Sequence, residues 1–336
     1  MKAETAFPVP KSYLCVRTEQ PLSIDGSLDD PAWKLADWTD DFVDIEGDTK
    51  PEPKLRTRAK MLWDDRYLYV AAELEEPHVW ATLKERDSVI FQDNDFEVFI
   101  DPDGDNHEYF EFEMNAIGTC WDLLLTKPYK DGGSAVNGWD VKGIKVAAKV
   151  NGTINDPSDT DTGWTLEIAF PWVALGECAR KSVPPVEGDQ WRINFSRVEW
   201  DLTVEDGAYR KVEGRPEHNW VWSPQGVIDM HRPERWGIVQ FTSKPKGEAR
   251  LEPDHSLAAR EALHRIYYAQ VAFREKHGRW GDLSELDLVQ VRHETLVGEV
   301  VLERTQSLFE ARVPVAYPDG RKLTWHISQD SRIWSD

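Results

Sequence analysis

Cysteine is scarce: Cys15, Cys120 and Cys178 are the three in 336 residues, far apart and without a C-x-x-C pair. That leaves room for one disulfide at most, offers no cysteine-built metal or redox centre, and reads as buried free thiols in strands. No apolar run approaches the roughly 20 residues needed to cross a bilayer. Met1–Pro10 carries one lysine and no apolar stretch, so the sequence as given reads as soluble and without a signal peptide. Glycine-rich phosphate loops, GxGxxG or Walker, are missing. Positive charge is in short supply as well: 40 Lys and Arg against 61 Asp and Glu give a net charge of −21. A field of that sign repels polyphosphate and anionic lipid, and it argues against nucleic acid and membrane partners. His107, His218 and His231 stand at no metal-ligand spacing and read as ordinary loop histidines.

What the chain does have is tryptophan, sixteen of them, a side chain used where a flat apolar face must also stay wet. Short runs rich in β-branched and aromatic residues, broken by Gly, Pro and Asp, dominate as far as residue 242. They predict an all-β fold, an antiparallel β-sandwich. In Trp164–Phe170 the residues Trp164, Leu166, Ile168 and Phe170 share one face while Thr165 and Glu167 share the other, as a half-buried strand requires. Residues 243–254, with Pro245, Gly247 and Pro253, break the pattern and read as a linker. In the remaining segment, 255–336, Ala259, Leu263, Ile266 and Phe273 recur at helical spacing over Ser256–His277, with Gly278 as the stop. Leu308–Val315 and Lys322–Ile327 then alternate around Tyr317-Pro318-Asp319-Gly320, predicting a hairpin. The expectation is a sandwich over 1–242 with a small C-terminal α+β extension, helix plus hairpin, packed upon it.

Four blocks in order carry a resemblance. Leu22-Ser23-Ile24-Asp25-Gly26-Ser27-Leu28-Asp29-Asp30-Pro31-Ala32-Trp33 is similar to the opening of the family 9 carbohydrate-binding modules. Trp63-Asp64-Asp65-Arg66-Tyr67-Leu68-Tyr69-Val70, Asp95–Asp101 and Arg232-Pro233-Glu234-Arg235-Trp236-Gly237 resemble its later strands. The resemblance spans about residues 20–242. It implies non-catalytic carbohydrate binding in a groove on one sheet, in an extracellular or periplasmic protein. In such modules a sugar lies between two aromatic rings while polar groups of the sheet bond its hydroxyls. By that resemblance Glu97 is the sugar-bonding carboxylate and Phe91 one of the two rings. Met230 falls at the second ring, with Trp222 as a nearby substitute. The family's strand-borne Gln falls at Ser196, with Arg197 and Glu199 as neighbours able to take over its bonds.

Two further expectations come from the residues themselves. Asp101, Asp103 and Asp105 alternate beside Gly104, the oxygen density that Ca²⁺ prefers, although an acidic turn explains them equally. Glu111 and Glu113 alternate with Phe110, Phe112 and Met114, so both should emerge on one face, near Glu97 if the strands are neighbours. That pairing keeps open an enzyme acting on a sugar or glycoside, with Glu97 and Glu111 as its two carboxylates. A third reading, implied by haem-binding members of the wider sandwich superfamily, makes Met230 an axial ligand.

Overall fold

The computed structural model describes residues 8–288 and 293–336. In chain order its strands up to residue 242 are β1 (Ser12–Arg17), β2 (Val43–Asp44), β3 (Thr57–Trp63), β4 (Tyr67–Glu75), β5 (Asp95–Asp101), β6 (Tyr109–Asn115), β7 (Cys120–Leu125), β8 (Ala135–Val136), β9 (Lys145–Asn151), β10 (Gly163–Pro171), β11 (Gln190–Glu199), β12 (Leu202–Glu205), β13 (Ala208–Lys211), β14 (His218–Val221) and β15 (Gly237–Thr242). Apart from the β12–β13 hairpin they form one continuous ladder, β8-β7-β6-β5-β11-β15-β1-β3-β4-β10-β9, with β14 and β2 added beside β11. The ladder curls over a single core, so its two halves face each other as a sandwich. The antiparallel expectation holds except at the seam, where β1 runs parallel to both β15 and β3.

Alternation decides which side chains reach that core. Trp164, Leu166, Ile168 and Phe170 of β10 meet Phe96 and Val98 of β5, Phe112 of β6, and Trp191 and Phe195 of β11. Cys15 and Cys120 are buried and free, and Cys178 is half-buried and free.

Glu167, on the opposite face of β10, explains the opening motif. Its carboxylate accepts from Trp33 Nε1 at 2.7 Å and from the backbone N–H groups of Asp25 and Gly26 at 2.9 Å each. Trp33 thereby lies over Leu22, Leu62, Tyr69 and Ala169, and the opening segment covers the outer surface of β3, β4 and β10. Gly26 has φ +80°, and a Cβ there would stand 2.8 Å from the backbone carbon of Ala148, so no other residue fits without displacing β9. Asp64 plays the matching part between β3 and β4, accepting from Arg66 N, Tyr67 N and Tyr69 Oη.

The C-terminal unit is built on α2 (Leu257–His277); α1 (Trp172–Leu175) is a single turn within the sandwich. The expected hairpin is β17 (Phe309–Ala316) with β18 (Lys322–Ser328), and β16 (Val301–Arg304) and β19 (Ile333–Ser335) flank it as a four-stranded antiparallel sheet. Leu263 and Ile266 of α2 pack on Val313, Trp325 and Ile327, with Phe273 half-buried at the margin, forming a second core. Polar bonds hold this unit to the sandwich: Ile333 N donates to Asp105 O at 3.1 Å, Asn106 Nδ2 to Ser331 O at 2.8 Å, and Arg192 pairs with Asp254 at 2.9 Å.

Replacing Glu167 by Ala strands two buried donors, Trp33 Nε1 and Gly26 N, and leaves Asp25 N to water. Buried donors left unpaired cost about 1–3 kcal/mol each, so a loss of about 3 kcal/mol or more is expected in urea unfolding, and Glu167→Gln should lose less because one oxygen still accepts. An unchanged midpoint for Glu167→Ala would show that the opening segment is held by its apolar contacts alone.

Candidate functional site

β5 lies between β6 and β11, and the register sets Glu97 opposite Glu113 on one side and Ser196 on the other. Phe96, Val98, Phe110, Phe112 and Met114 point into the core. Parity then sends Asp95, Glu97, Glu111 and Glu113 to the outer face together, as the alternation of Glu111 and Glu113 anticipates. One carboxylate oxygen each from Asp95, Glu97 and Glu113 lie within 4.8 Å of one another.

The outer face is not bare. Glu97 and Glu111 are 6% exposed, Glu113 1% and Asp95 0%, because turns fold over them. Phe91, in the short 3-10 turn Ile90–Gln92, donates its backbone N–H to Glu113 Oε2 at 2.9 Å, and its carbonyl accepts from Trp200 Nε1 at 2.9 Å. At the other end His231 Nε2 stands 3.9 Å from Glu111 Oε2, and Tyr109 Oη and His231 Nδ1 share a hydrogen bond of 2.9 Å. Among the described residues no Lys or Arg lies within ion-pair distance of these four carboxyl groups. His231 brings no charge either, since burial pushes its pKa down to about 4. Burial, reinforced by mutual repulsion, raises Asp95, Glu111 and Glu113 well above the carboxylate range, and burial pushes Glu97 up to about 7. A row of carboxyl groups that keep protons both donates and accepts hydrogen bonds, the dual capacity that hydroxyl-rich ligands require.

Aromatic rings border the row. Phe91 and Trp200 stand at the Glu113 end, each half-buried. Trp121 of β7 is paired with Glu113 across the ladder and is half-buried too. At the Glu111 end Tyr129, 47% exposed, meets His231 edge-on with ring centroids 4.4 Å apart. Sequence reasoning passed over Trp121 and Tyr129 and read His231 as an ordinary loop histidine. The parity of Trp121 with Leu123 and Leu125 was a usable signal, whereas Tyr129 and His231 come from loops that carry no periodicity.

Three residues expected at this site lie elsewhere. Arg197 and Glu199 are one position out of phase with Ser196, so they turn to the inner side of the sheet. There Arg197 pairs with Glu76 at 2.8 Å and Glu199 at 2.9 Å and donates to Thr57 Oγ1 at 3.0 Å, closing one end of the sandwich. Trp222 is 1% exposed and packs edge-on to Tyr13, because the chain after β14 folds it into the core rather than out to a loop. Met230 is half-buried against the small cluster of Phe99, Tyr109 and Trp236, adjacent to His231, and serves there as packing.

Asp101, Asp103 and Asp105 do converge, with one oxygen from each within 4.8 Å. Part of their charge is answered from the protein, although burial still holds all three carboxyls above their ordinary values, with repulsion from Asp105 adding to it at Asp101 and Asp103. Asp101 accepts from the backbone N–H groups of Gly104 and Asn106 at 2.9 Å, and Asp105 pairs with Arg332 at 3.1 Å. Arg180 stands 3.9 Å from Asp103 and 3.7 Å from Asp105.

Comparison with known proteins bears on the fold. The family described as carbohydrate family 9 binding domain-like matches residues 24–242. An exoglucanase, XynX, of Acetivibrio thermocellus is 26% identical over 224 residues, covering 67% of this chain and 17% of that protein. An endo-1,4-β-xylanase A of Thermoanaerobacterium saccharolyticum is 27% identical over 116 residues, 34% of this chain and 8% of that protein. The chain thus spans less than a fifth of either curated relative. Among solved structures, a Bacteroides uniformis protein proposed to bind carbohydrate aligns with TM-score 0.50 and 20% identity, covering 69% of this chain and all of that one, a likeness of fold. A family 9 carbohydrate-binding module of Caldicellulosiruptor kristjanssonii, solved with cellotriose, aligns at 0.45 and 16% over 72% of this chain and all of that one.

The raised carboxyl groups give a pH signature. Glu97 holds its proton more tightly folded, up to about 7, than its ordinary value of 4.5. The folded state therefore binds more protons in that window, and the contribution of Glu97 is full below about 4.5 and lost as pH rises through about 7. Neutral buried His231 acts with the opposite sign, so the readout is a difference. The stability of the parent relative to Glu97→Gln, from urea midpoints, should fall between pH 4.5 and 7. A difference independent of pH would mean that Glu97 is ionised throughout.

Proposed function

We propose, because this chain belongs to the carbohydrate family 9 binding domain-like family through residues 24–242, that it binds carbohydrate without cleaving it, on the outer face of β5 and β6. The observation that carries this reading is the row Glu97, Glu111 and Glu113, recessed between half-exposed rings and without a cationic partner among the described residues. Such groups cost several kcal/mol if left unsatisfied in a dry site, and sugar hydroxyls supply the missing partners. The C–H face of a pyranose suits the rings of Phe91, Tyr129 and Trp121. The exoglucanase and endo-1,4-β-xylanase relatives point to a glucan or a β-1,4-linked xylan as ligand and to an extracellular setting. No helix among the described residues is long and apolar enough to cross a membrane.

Titration calorimetry with cello- and xylo-oligosaccharides tests this. Glu97→Gln removes a charge-assisted or proton-sharing bond worth about 1.5–3 kcal/mol, or roughly ten- to a hundredfold in affinity. Phe91→Ala should weaken the same ligand by loss of ring contact. If both variants bind like the parent while a change on a remote surface abolishes binding, the site is misplaced. Binding retained in Glu97→Gln with loss of glycoside turnover would make Glu97 part of an enzyme.

For the Asp101, Asp103 and Asp105 turn, we propose that Arg180 and Arg332 hold the place Ca²⁺ would take. EDTA and millimolar Ca²⁺ should therefore give melting temperatures within about 1 °C, whereas an ion bound to the folded state alone would raise the value as its concentration rises. A rise of several degrees with Ca²⁺ would restore the ion.

A further inference from the structure

A groove of about 490 Å³ runs where the outer edge of the C-terminal sheet meets the sandwich, within the roughly 300–1,000 Å³ usual for small-ligand sites. His107, from the turn between β5 and β6, lines it together with Ser328, Asp330, Arg332 and Trp334, from the end of β18 through β19. β19 is the last strand of its sheet. Trp334 stands opposite His326 of β18 in the register, with the two rings at 7° and their centroids 5.1 Å apart. One indole face is therefore covered by the imidazole, and the other turns past the sheet edge into the groove. The Asp105–His107 turn flanks that same edge, where Ile333 N bonds Asp105 O at 3.1 Å. The free indole face and His107 thus form two walls of the groove.

The polar groups along it retain bonding capacity. Trp334 Nε1, Arg332 Nη1 and Nη2, and His107 Nδ1 have no hydrogen-bond partner among the described residues. Their side chains are half-buried and line the groove, so these atoms are wetted and not sealed in the interior. They are also held in place. Arg332 Nε is fixed on Asp105 at 3.1 Å, and Ser328 Oγ donates to Asp330 Oδ1 at 2.7 Å. His107 Nε2 lies 2.8 Å from the carbonyl of Asp330, which can only accept, so the neutral imidazole presents Nδ1 as an acceptor. The charges cancel in pairs, Asp330 with Lys127 at 3.5 Å and Arg332 with Asp105 at 3.1 Å. A neutral ligand meets little field here, whereas an anion meets Asp330 and a chain of net charge −21. A flat apolar face beside fixed donors and acceptors complements a pyranose, whose C–H face suits the indole and whose hydroxyls both donate and accept.

We propose that this groove is a second carbohydrate site, in which one pyranose ring of a neutral saccharide lies on the free face of Trp334 and its hydroxyls bond Asp330, Arg332 and His107. The ligand class rests on the carbohydrate reading of the chain, but the site lies outside residues 24–242 except for His107 and shares no residue with the Glu97 row. Indole N–H signals in proton–nitrogen NMR spectra of the full chain test it, the Trp334 signal being the one lost in Trp334→Phe. Cellotetraose and xylotetraose are the probes. At least one should move the Trp334 signal saturably, with a dissociation constant that Glu97→Gln leaves unchanged and that Asp330→Asn weakens roughly tenfold through loss of a charge-assisted bond. Glycerol at equal concentration should leave the signal in place. A Trp334 signal that neither saccharide moves, that glycerol moves as far, or whose response follows Glu97→Gln and ignores Asp330→Asn, overturns the proposal and leaves the Glu97 row standing. A response at Trp334 with every other indole indifferent to Glu97→Gln would instead keep the groove and remove the row.

Discussion

Four carboxyl groups on neighbouring strands, with turns folded over them and no lysine or arginine within reach among the described residues, set the terms for the rest of the sheet face. The core cannot release them: Phe96, Val98, Phe110, Phe112 and Met114 hold β5 and β6 in one phase, and a shift by one residue would put the acids among them. Bulk water relieves them little, at 0–6% exposure. What remains is protons, or a ligand rich in hydroxyl groups, and the half-exposed rings at both ends favour a ligand that also has an apolar face.

The same molecule shows how acidic clusters look when they are not waiting for a partner. Asp122, buried on β7, has Arg86 on its carboxylate, and the Asp101–Asp105 turn has Arg180 and Arg332. Glu167 satisfies itself with three N–H donors. Against those three solutions, the row at Glu97 stands apart by having neither a Lys or Arg partner among the described residues nor three N–H donors on one carboxylate, only a backbone N–H each on Glu113 and Asp95.

Much of this was legible in the sequence because it follows from period. The phase of Glu97, Glu111 and Glu113, the helix of the C-terminal unit and the hairpin at Tyr317–Gly320 all come from alternation or helical spacing. What failed was whatever depends on phase to within one residue or on a loop. Arg197 and Glu199 sit next to the right position and therefore on the wrong face. Trp222 is buried by the course of the chain after β14, and Tyr129 and His231 reach the site from turns with no repeating pattern. The pairing of the acidic turn with Arg180 and Arg332 joins residues from three distant parts of the chain, which composition cannot foresee.

The seam at β1 has a bearing on how the protein is made. Ser12 lies beside Ile238 and Val16 beside Thr242, so the first strand of the sandwich is locked between β3 and the last. During synthesis β1 and β3 emerge early and wait for almost the whole sandwich to follow before β15 can pair. Contacts between such distant parts of a chain form slowly, and until they form β1 shows an unpaired edge. All of the chain between Ser12 and Thr242 must therefore be made before the barrier to completing this fold can be crossed, and closure of the sheet becomes a property of the sandwich as a whole.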